Sequence, residues 1–192
     1  MLDYLKQVDE SLFLFLNSLH NDWLDPVMLF LSAKKVWIPL YLGIVAFIIY
    51  SFRKRAIVII IAIILCISCA DQLTSSIMKP GFERTRPCHE THLQELIHKP
   101  SKCGGRYGFA SSHAANTFGL AVFLAFLFNR KKLIGVIIST WAFLVSYSRI
   151  YLGVHYPGDI LVGAALGSIL AFIFLKAAHY FNNLIFIEDS GY

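Results

Sequence analysis

The sequence predicts an all-α membrane protein, a bundle of about five transmembrane helices with interfacial helices at the N-terminus. Composition is the first reason: of 192 residues 57% are hydrophobic and only 15% are charged, whereas soluble domains have roughly 45–50% apolar residues. Length is the second reason, because a helix needs about 20 apolar residues to cross a bilayer core of about 30 Å. Five apolar stretches come close to this length: 36–51, 56–78, 112–128, 132–149 and 158–178.

The first 33 residues follow another pattern. The apolar run from Leu12 to Leu19 is short and is followed by the polar run HNDWLD, so we predict interfacial helices over residues 1–33 and no span there. Asp3, Asp9 and Glu10 stand where a secretory signal peptide would be basic. With no linker, repeat or low-complexity segment, residues 1–192 are expected to form a single domain.

Charge position predicts the orientation in the membrane. A net charge of +5 is compatible with nucleic acid, anionic lipid headgroups or topology signals. Basic residues fill two short turns, Arg53 to Arg55 and Arg130 to Lys132, which favours topology signals over a nucleic-acid partner and places both turns in the cytoplasm. The loop over residues 80–110 then lies outside the cytoplasm. We expect a bacterial inner-membrane protein with a periplasmic or outer-face site and a cytoplasmic C-terminus.

The long loop contains two of the four cysteines. Cys88 and Cys103 are predicted to form a disulfide if their compartment is oxidising. The alternative is a metal site, which would draw on these cysteines and the histidines of the loop: Cys88, His89, His92, His98 and Cys103. None of these spacings matches a familiar zinc pattern, so the disulfide is favoured and no metal is expected.

Charged residues collect where the predicted spans meet the outer face. Lys79 ends the second span, Arg86 follows in the loop, and Arg149 ends the fourth span. One ammonium and two planar guanidiniums suit a phosphate group, whose charge is spread over several oxygens. Ser111 and Ser112 open the third span, where unpaired backbone N–H groups and the helix dipole also favour an anion. These residues predict a phosphate site.

Two histidines and one carboxylate add reactive groups to this site. Asp159 lies four residues after His155 across a proline turn, so its carboxylate can accept one ring N–H and leave the other nitrogen free to attack phosphorus. His113 has no such carboxylate near it in sequence and is the candidate for protonating the leaving oxygen. A single residue of this kind is usually an interfacial anchor, but the whole set has no packing explanation.

These residues resemble the signature of the type 2 phosphatidic acid phosphatases, membrane relatives of the vanadium haloperoxidases. The first motif, Lys, six residues, Arg-Pro, is complete at Lys79 and Arg86-Pro87. The third, Ser-Arg, five residues, His, three residues, Asp, is complete from Ser148 to Asp159. The second, Pro-Ser-Gly-His, reads Ala110, Ser111, Ser112 and His113, so that alanine replaces proline and serine replaces glycine.

The resemblance implies a function for the whole set. Lys79, Arg86 and Arg149 would bind phosphate, His155 would form a phosphohistidine oriented by Asp159, and His113 would be the general acid, with no metal or cofactor. The expected substrate is a lipid phosphate or diphosphate: undecaprenyl diphosphate, lipid A phosphate, phosphatidylglycerophosphate or phosphatidic acid. The alternative is a non-catalytic membrane protein that binds or translocates lipid phosphates. Oligomeric state has no signal in the sequence.

Overall fold

A computed structural model describes residues 2–129 and 131–186, and the described residues form helices without any β-strand. In chain order the helices are α1 (Leu2–Ser18), α2 (Asp25–Ser32), α3 (Ile38–Phe52), α4 (Ala56–Gln72), α5 (Lys79–Phe82), α6 (Ser112–Leu127), α7 (Lys132–Tyr151) and α8 (Pro157–Ile185). A π-helical segment, Leu73–Met78, joins α4 to α5. The prediction of an all-α membrane bundle is confirmed.

Three helical runs are long and apolar enough to cross a membrane: Lys34–Phe82, Lys132–Tyr151 and Pro157–Ile185. The first run contains α3 and α4, which pack against each other on either side of a tight turn at Arg53–Arg55. Helix α6 is apolar but has only 16 residues. The count of five spans therefore stays a prediction.

Helix α1 is amphipathic. Exposed apolar side chains recur along it every three or four residues and form one stripe, which Leu19 continues just after the helix ends: Tyr4, Val8, Leu12, Phe15 and Leu19. The opposite face buries Phe13 and Asn17, and the Phe13 ring meets the Tyr156 ring edge-on with centroids 5.3 Å apart. One face thus packs on the bundle, while the stripe suits contact with lipid at the membrane surface.

The amide of Asn17 fixes α1 to the outer end of α7. It donates to the carbonyl oxygens of Ile150 and Tyr151, at 3.1 and 2.8 Å, and its own oxygen accepts from the His98 N–H at 2.7 Å. Because the last carbonyls of a helix have no partner within that helix, this side chain satisfies the Tyr151 carbonyl and adds a second bond to the Ile150 carbonyl, which also accepts the Gly153 N–H.

Helix α6 lies at the centre of the bundle and packs against α4, α7 and α8. Its contact with α8 is close at Gly167, where a Cβ atom would overlap the carbonyl oxygen of Ala115. Small residues allow this approach between helix backbones. The spacing of α6 and α8 matters for function because each helix begins with candidate site residues.

Successive helices run in opposite directions, so four helix ends meet at one end of the bundle: the end of the α4–α5 segment, the start of α6, the end of α7 and the start of α8. The basic turns at Arg53–Arg55 and around Lys131 lie at the opposite end. Arg130, which was predicted to contribute to the second turn, lies outside the described residues.

The loop between α5 and α6 is ordered by short turns and one covalent link. Two 3-10 turns, Pro87–His89 and Thr91–Leu93, follow the first motif, and Cys88 is joined to Cys103 as a disulfide with Cα atoms 6.1 Å apart. His89 lies beside the two sulfurs, but His92 contacts Glu10 and His98 contacts Asp25 instead. Because the two sulfurs are bonded to each other, they do not offer the thiolates that a zinc site would use, which favours the disulfide over the metal alternative.

Candidate active site

His155 and Asp159 form a buried pair. The ring Nδ1 of His155 lies 3.2 Å from Asp159 Oδ2, and the two side chains are 2% and 0% exposed. The short connection from α7 ends at Tyr156, and Pro157 starts α8, a position that suits proline. Asp159 Oδ2 also accepts the Tyr156 backbone N–H at 3.1 Å. The helix start thereby fixes the carboxylate against the imidazole.

The second ring nitrogen of His155 faces Arg86, whose Nη1 lies 3.1 Å from His155 Nε2. A guanidinium can only donate hydrogen bonds, so Nε2 must be the unprotonated nitrogen and Nδ1 carries the proton toward Asp159. Burial, followed by the nearby cations Arg86, Arg149, Lys79 and Arg84, holds the pKa of His155 well below its usual value of 6.5. The ring is neutral with its lone pair on Nε2.

Arg86 is held by backbone carbonyls of the surrounding loops. Its Nε donates to Gly105 at 2.7 Å and its Nη1 to Val154 at 3.2 Å. Burial lowers the pKa of the Arg86 guanidinium below its ordinary value, while the Asp159 charge opposes this change. Arg86 remains a cation beside the imidazole because arginine keeps its proton in proteins.

Lys79 lies on the other side of the site, at the start of α5. Its Nζ donates to the Ser112 hydroxyl at 2.7 Å. The same hydroxyl lies 2.8 Å from Thr74 Oγ1 and 3.0 Å from Ser75 Oγ. Since Thr74 and Ser75 lie in the π-helical segment, that segment ties the first motif to the start of α6.

Ser111 was predicted to donate to an anion, but in the structure its polar groups bond to other parts of the protein. Its backbone N–H donates to the Asp159 carbonyl at 3.0 Å, and its hydroxyl caps α6 by accepting the Ala114 N–H at 3.4 Å. The residue is fully buried. Ser111 therefore joins the starts of α6 and α8. It is the Ser112 hydroxyl that accepts from Lys79, the cation of the first motif.

His113 and Arg149 carry buried polar atoms that have no hydrogen-bond partner among the described residues. These atoms are His113 Nε2 and Arg149 Nε. Arg149 also donates from Nη1 to the Ser32 hydroxyl at the end of α2. A buried unpaired polar group costs roughly 1–3 kcal/mol, so both groups are suited to an anionic ligand that would pair with them.

Three residues that the sequence motifs did not identify support the His155–Asp159 pair. Arg84 donates to Asp159 Oδ1 at 2.9 Å, and Asp9 of α1 accepts from Arg84 at 2.7 Å. Gly108 lies against the pair, since a Cβ there would be 3.1 Å from Asp159 Oδ2. The only local signal was the place of Arg84 two residues before Arg86.

The family model of the PAP2 superfamily matches residues 57–183 of this chain, a range that contains all three motifs. Among curated proteins, the lipid A 4'-phosphatase of Bacteroides thetaiotaomicron is 40% identical over 182 residues, which cover 93% of this chain and 80% of that protein.

Two solved structures share the fold. LpxE from Aquifex aeolicus superposes with a TM-score of 0.65 at 30% identity, covering 86% of this chain and 93% of that one. The PAP2-type phosphatidylglycerolphosphate phosphatase from Bacillus subtilis gives a TM-score of 0.70 at 26% identity, covering 92% and 87%.

Proposed function

Because this chain belongs to the PAP2 superfamily and is an integral-membrane lipid phosphatase, we propose that His155 is its nucleophile and that a lipid A phosphate is its substrate. The observation that supports the first part is the buried pair itself. Asp159 accepts the proton on Nδ1, at 3.2 Å, and Arg86 faces the lone pair on Nε2, at 3.1 Å.

Phosphoryl transfer then proceeds in two steps. When a phosphate binds, Arg86 turns its N–H groups from the imidazole to the phosphate oxygens, and Lys79 and Arg149 neutralise the remaining charge. His155 Nε2 attacks phosphorus, the bond from phosphorus to the lipid oxygen breaks, and His113 gives that oxygen its proton. Water next attacks the phosphohistidine and His113 takes a proton from the water, while the bond from phosphorus to His155 Nε2 breaks, which frees the imidazole and releases inorganic phosphate.

The unpaired atoms of His113 and Arg149 support this assignment. Both are buried, and both belong to motifs that converge from different helices. A phosphate group supplies several acceptor oxygens, and one leaving oxygen needs a proton. A bound phosphate would therefore pair with the Arg149 guanidinium, and the leaving oxygen would take the proton that His113 donates.

The phosphate ligands in this site are cations, whereas a catalytic metal would need carboxylate, imidazole or thiolate ligands. Activity is therefore expected to persist in EDTA. Loss of activity in the chelator, with recovery on adding a divalent cation, would contradict the assignment of phosphate binding to Lys79, Arg86 and Arg149.

The likeness to a lipid A 4'-phosphatase supports the substrate. A cleft of about 750 Å³ beside Arg84 also suits a large sugar headgroup, because it combines aromatic rings with carboxylates. Phe82 and Phe109 offer faces on which a sugar ring can stack, and Glu83 and Glu90 accept from hydroxyls. Phosphatidic acid has no headgroup that would fill such a cleft.

We further propose that the site lies at the outer face of a bacterial inner membrane, with the basic turns and the C-terminus in the cytoplasm. The positive turn at Arg53–Arg55 lies at the opposite end of the bundle from the site, as the excess of basic residues in cytoplasmic loops requires. The 1–192 chain acts as one domain in this proposal.

A substrate panel tests the proposal. Purified protein would be assayed for phosphate release from lipid A bisphosphate, phosphatidylglycerophosphate, undecaprenyl diphosphate and phosphatidic acid in matched detergent micelles, with His155→Ala as the inactive control. We expect the highest kcat/KM for lipid A. A higher kcat/KM for phosphatidylglycerophosphate would overturn the substrate assignment. Full activity of His155→Ala would overturn the nucleophile, and a protein inactive on every lipid would favour the binding or translocating alternative.

A further inference from the structure

We propose that Arg84 and Asp9 are positioning residues for phosphoryl transfer. Asp9 of the N-terminal helix holds the Arg84 guanidinium, and Arg84 holds the Asp159 carboxylate in the orientation that His155 needs. This inference rests on the proposed role of the His155–Asp159 pair. It extends the site beyond the three motifs to a helix that the family model does not cover, since that match begins at residue 57.

The first step is the hydrogen bonding of Asp159. Its carboxylate is fully buried, and Oδ2 accepts from His155 and from the Tyr156 backbone N–H. Oδ1 accepts from Arg84 at 2.9 Å and from no other group among the described residues. An unpaired buried charge is strongly unfavourable. Arg84 therefore keeps Asp159 charged and stops it rotating away from the imidazole.

The second step is what holds Arg84. Its Nη2 donates to Asp9 Oδ2 at 2.7 Å, and its guanidinium lies 4.1 Å above the Tyr156 ring. Asp9 Oδ1 in turn accepts the Gly158 backbone N–H at 2.7 Å, in the first turn of α8. Asp9 thus fixes both the arginine and the helix start from which Asp159 projects.

The third step separates this role from phosphate binding. Arg84 uses Nη1 for Asp159 and Nη2 for Asp9, so both of its terminal nitrogens are already committed to carboxylates. A planar fork that bridges two carboxylates is a geometry that lysine cannot reproduce. Loss of Arg84 should consequently impair the chemical step and leave substrate affinity almost unchanged.

The experiment compares kcat and KM for lipid A bisphosphate across Arg84→Gln, Arg84→Lys and Asp9→Asn. Residues that orient the histidine ligands of a catalytic metal typically contribute about 10–100-fold to activity, and Arg84 and Asp9 are placed behind Asp159 and His155 in the same way. We therefore expect kcat to fall about 100-fold in Arg84→Gln and about 10-fold in Asp9→Asn, with KM within about twofold of wild type. Arg84→Lys should recover only part of kcat. In the double variant Arg84→Gln/Asp9→Asn, kcat should fall by less than the product of the two single reductions, because both residues act on Asp159 through the same chain of contacts.

Asp3→Asn is the matched control, because Asp3 is an exposed carboxylate of the same helix α1 and does not line the cleft proposed for the headgroup. It should keep both constants. If Arg84→Gln retains wild-type kcat while His155→Ala is inactive, the inference is wrong and the proposed function stands. A rise in KM at unchanged kcat would also overturn it, by making Arg84 a substrate ligand. Should Arg84→Gln fail to fold, Asp9→Asn decides in the same way.

Discussion

Arg86 Nη1 lies 3.1 Å from His155 Nε2, so a permanent cation faces the nitrogen that we propose as the nucleophile. The contact fixes the tautomer, because the guanidinium can only donate. It also disfavours a second proton on the ring, in the same direction as burial, which is the larger cause of the lowered His155 pKa. The His155 imidazole therefore stays neutral under conditions in which an exposed histidine would be charged, as the proposed nucleophile requires.

The pH profile of kcat/KM should reflect this. A pKa below 6.5 means that His155 stays neutral as the pH falls through 6.5, so the acidic limb of the profile is expected below that pH. Arg86→Gln removes one of the depressing charges and should move the limb to higher pH. Ionisation of the substrate phosphate affects both proteins equally, so a difference between their acidic limbs reports a change in the pKa of His155. Identical limbs in both proteins would contradict the prediction.

Asp159→Asn should abolish most of the activity without unfolding the protein. The amide cannot carry the charge that pairs with Arg84, and it can turn an N–H toward His155, which favours the wrong tautomer. The corresponding change in a serine-protease triad costs about 10⁴-fold in kcat, and we expect about 10³-fold or more here. Asp22→Asn, at an exposed position of the N-terminal region, should leave kcat unchanged. Retention of more than a tenth of wild-type kcat by Asp159→Asn would contradict the assigned role.

The motif residues could be identified from sequence for a physical reason. Charges are costly near a bilayer core, so a chain this apolar leaves few of them, and those at successive helix ends must meet at one face. Lys79, Arg86, Arg149 and His155 came from this argument, and the structure brings them together as neighbouring charges around the imidazole.

What the sequence could not predict depends on contacts between distant segments. Asp9 and Arg84 are separated by 75 residues, and no local pattern links an interfacial helix to the first motif. The bond from Ser111 N–H to the Asp159 carbonyl is equally invisible, so its donor was expected to face the anion. The π-helical segment at Leu73–Met78 also escaped prediction, because its residues have the same apolar pattern as an ordinary span.

Removing the disulfide should weaken the loop that holds Arg86. Cys88 lies two residues after Arg86, and Gly105, whose carbonyl accepts from Arg86 at 2.7 Å, lies two residues after Cys103. A bridge across 15 residues is worth about 3 kcal/mol in the chain-entropy model. We expect Cys88→Ser/Cys103→Ser to have a lower melting temperature and a higher KM.

The control for the disulfide is Cys69→Ser, since Cys69 is a free cysteine in α4. It should keep the wild-type melting temperature and KM. Alkylation of both Cys88 and Cys103 in unreduced wild-type protein would show that the bridge does not form.

Gly167→Ala should destabilise the bundle because its Cβ would overlap the Ala115 carbonyl on α6. Backbone atoms cannot move aside as a side chain can, so the two helices must separate, at a cost of about 1–3 kcal/mol. The matched control is Gly43→Ala on α3, where a Cβ would have no neighbour within 4 Å. Thermal unfolding in detergent measures both variants. Equal melting temperatures would show that the α6–α8 contact is not as close as described.

Gly108→Ala should reduce catalysis more than stability. A Cβ there would lie 3.1 Å from both Arg86 Cγ and Asp159 Oδ2, so these two side chains must shift by a few tenths of an ångström, while its distance of 3.5 Å from His155 Nδ1 is an ordinary contact. Small misplacements of reacting groups cost up to about 100-fold in rate, and we expect kcat to fall about 10–100-fold. Gly105→Ala, where a Cβ meets nothing within 4 Å, is the control in the same loop. Because both variants replace a glycine of the same loop by alanine, a general stiffening of the loop backbone would change kcat in both. A normal kcat for Gly108→Ala would mean that the His155–Asp159 pair tolerates displacement, and that its geometry does not limit the rate.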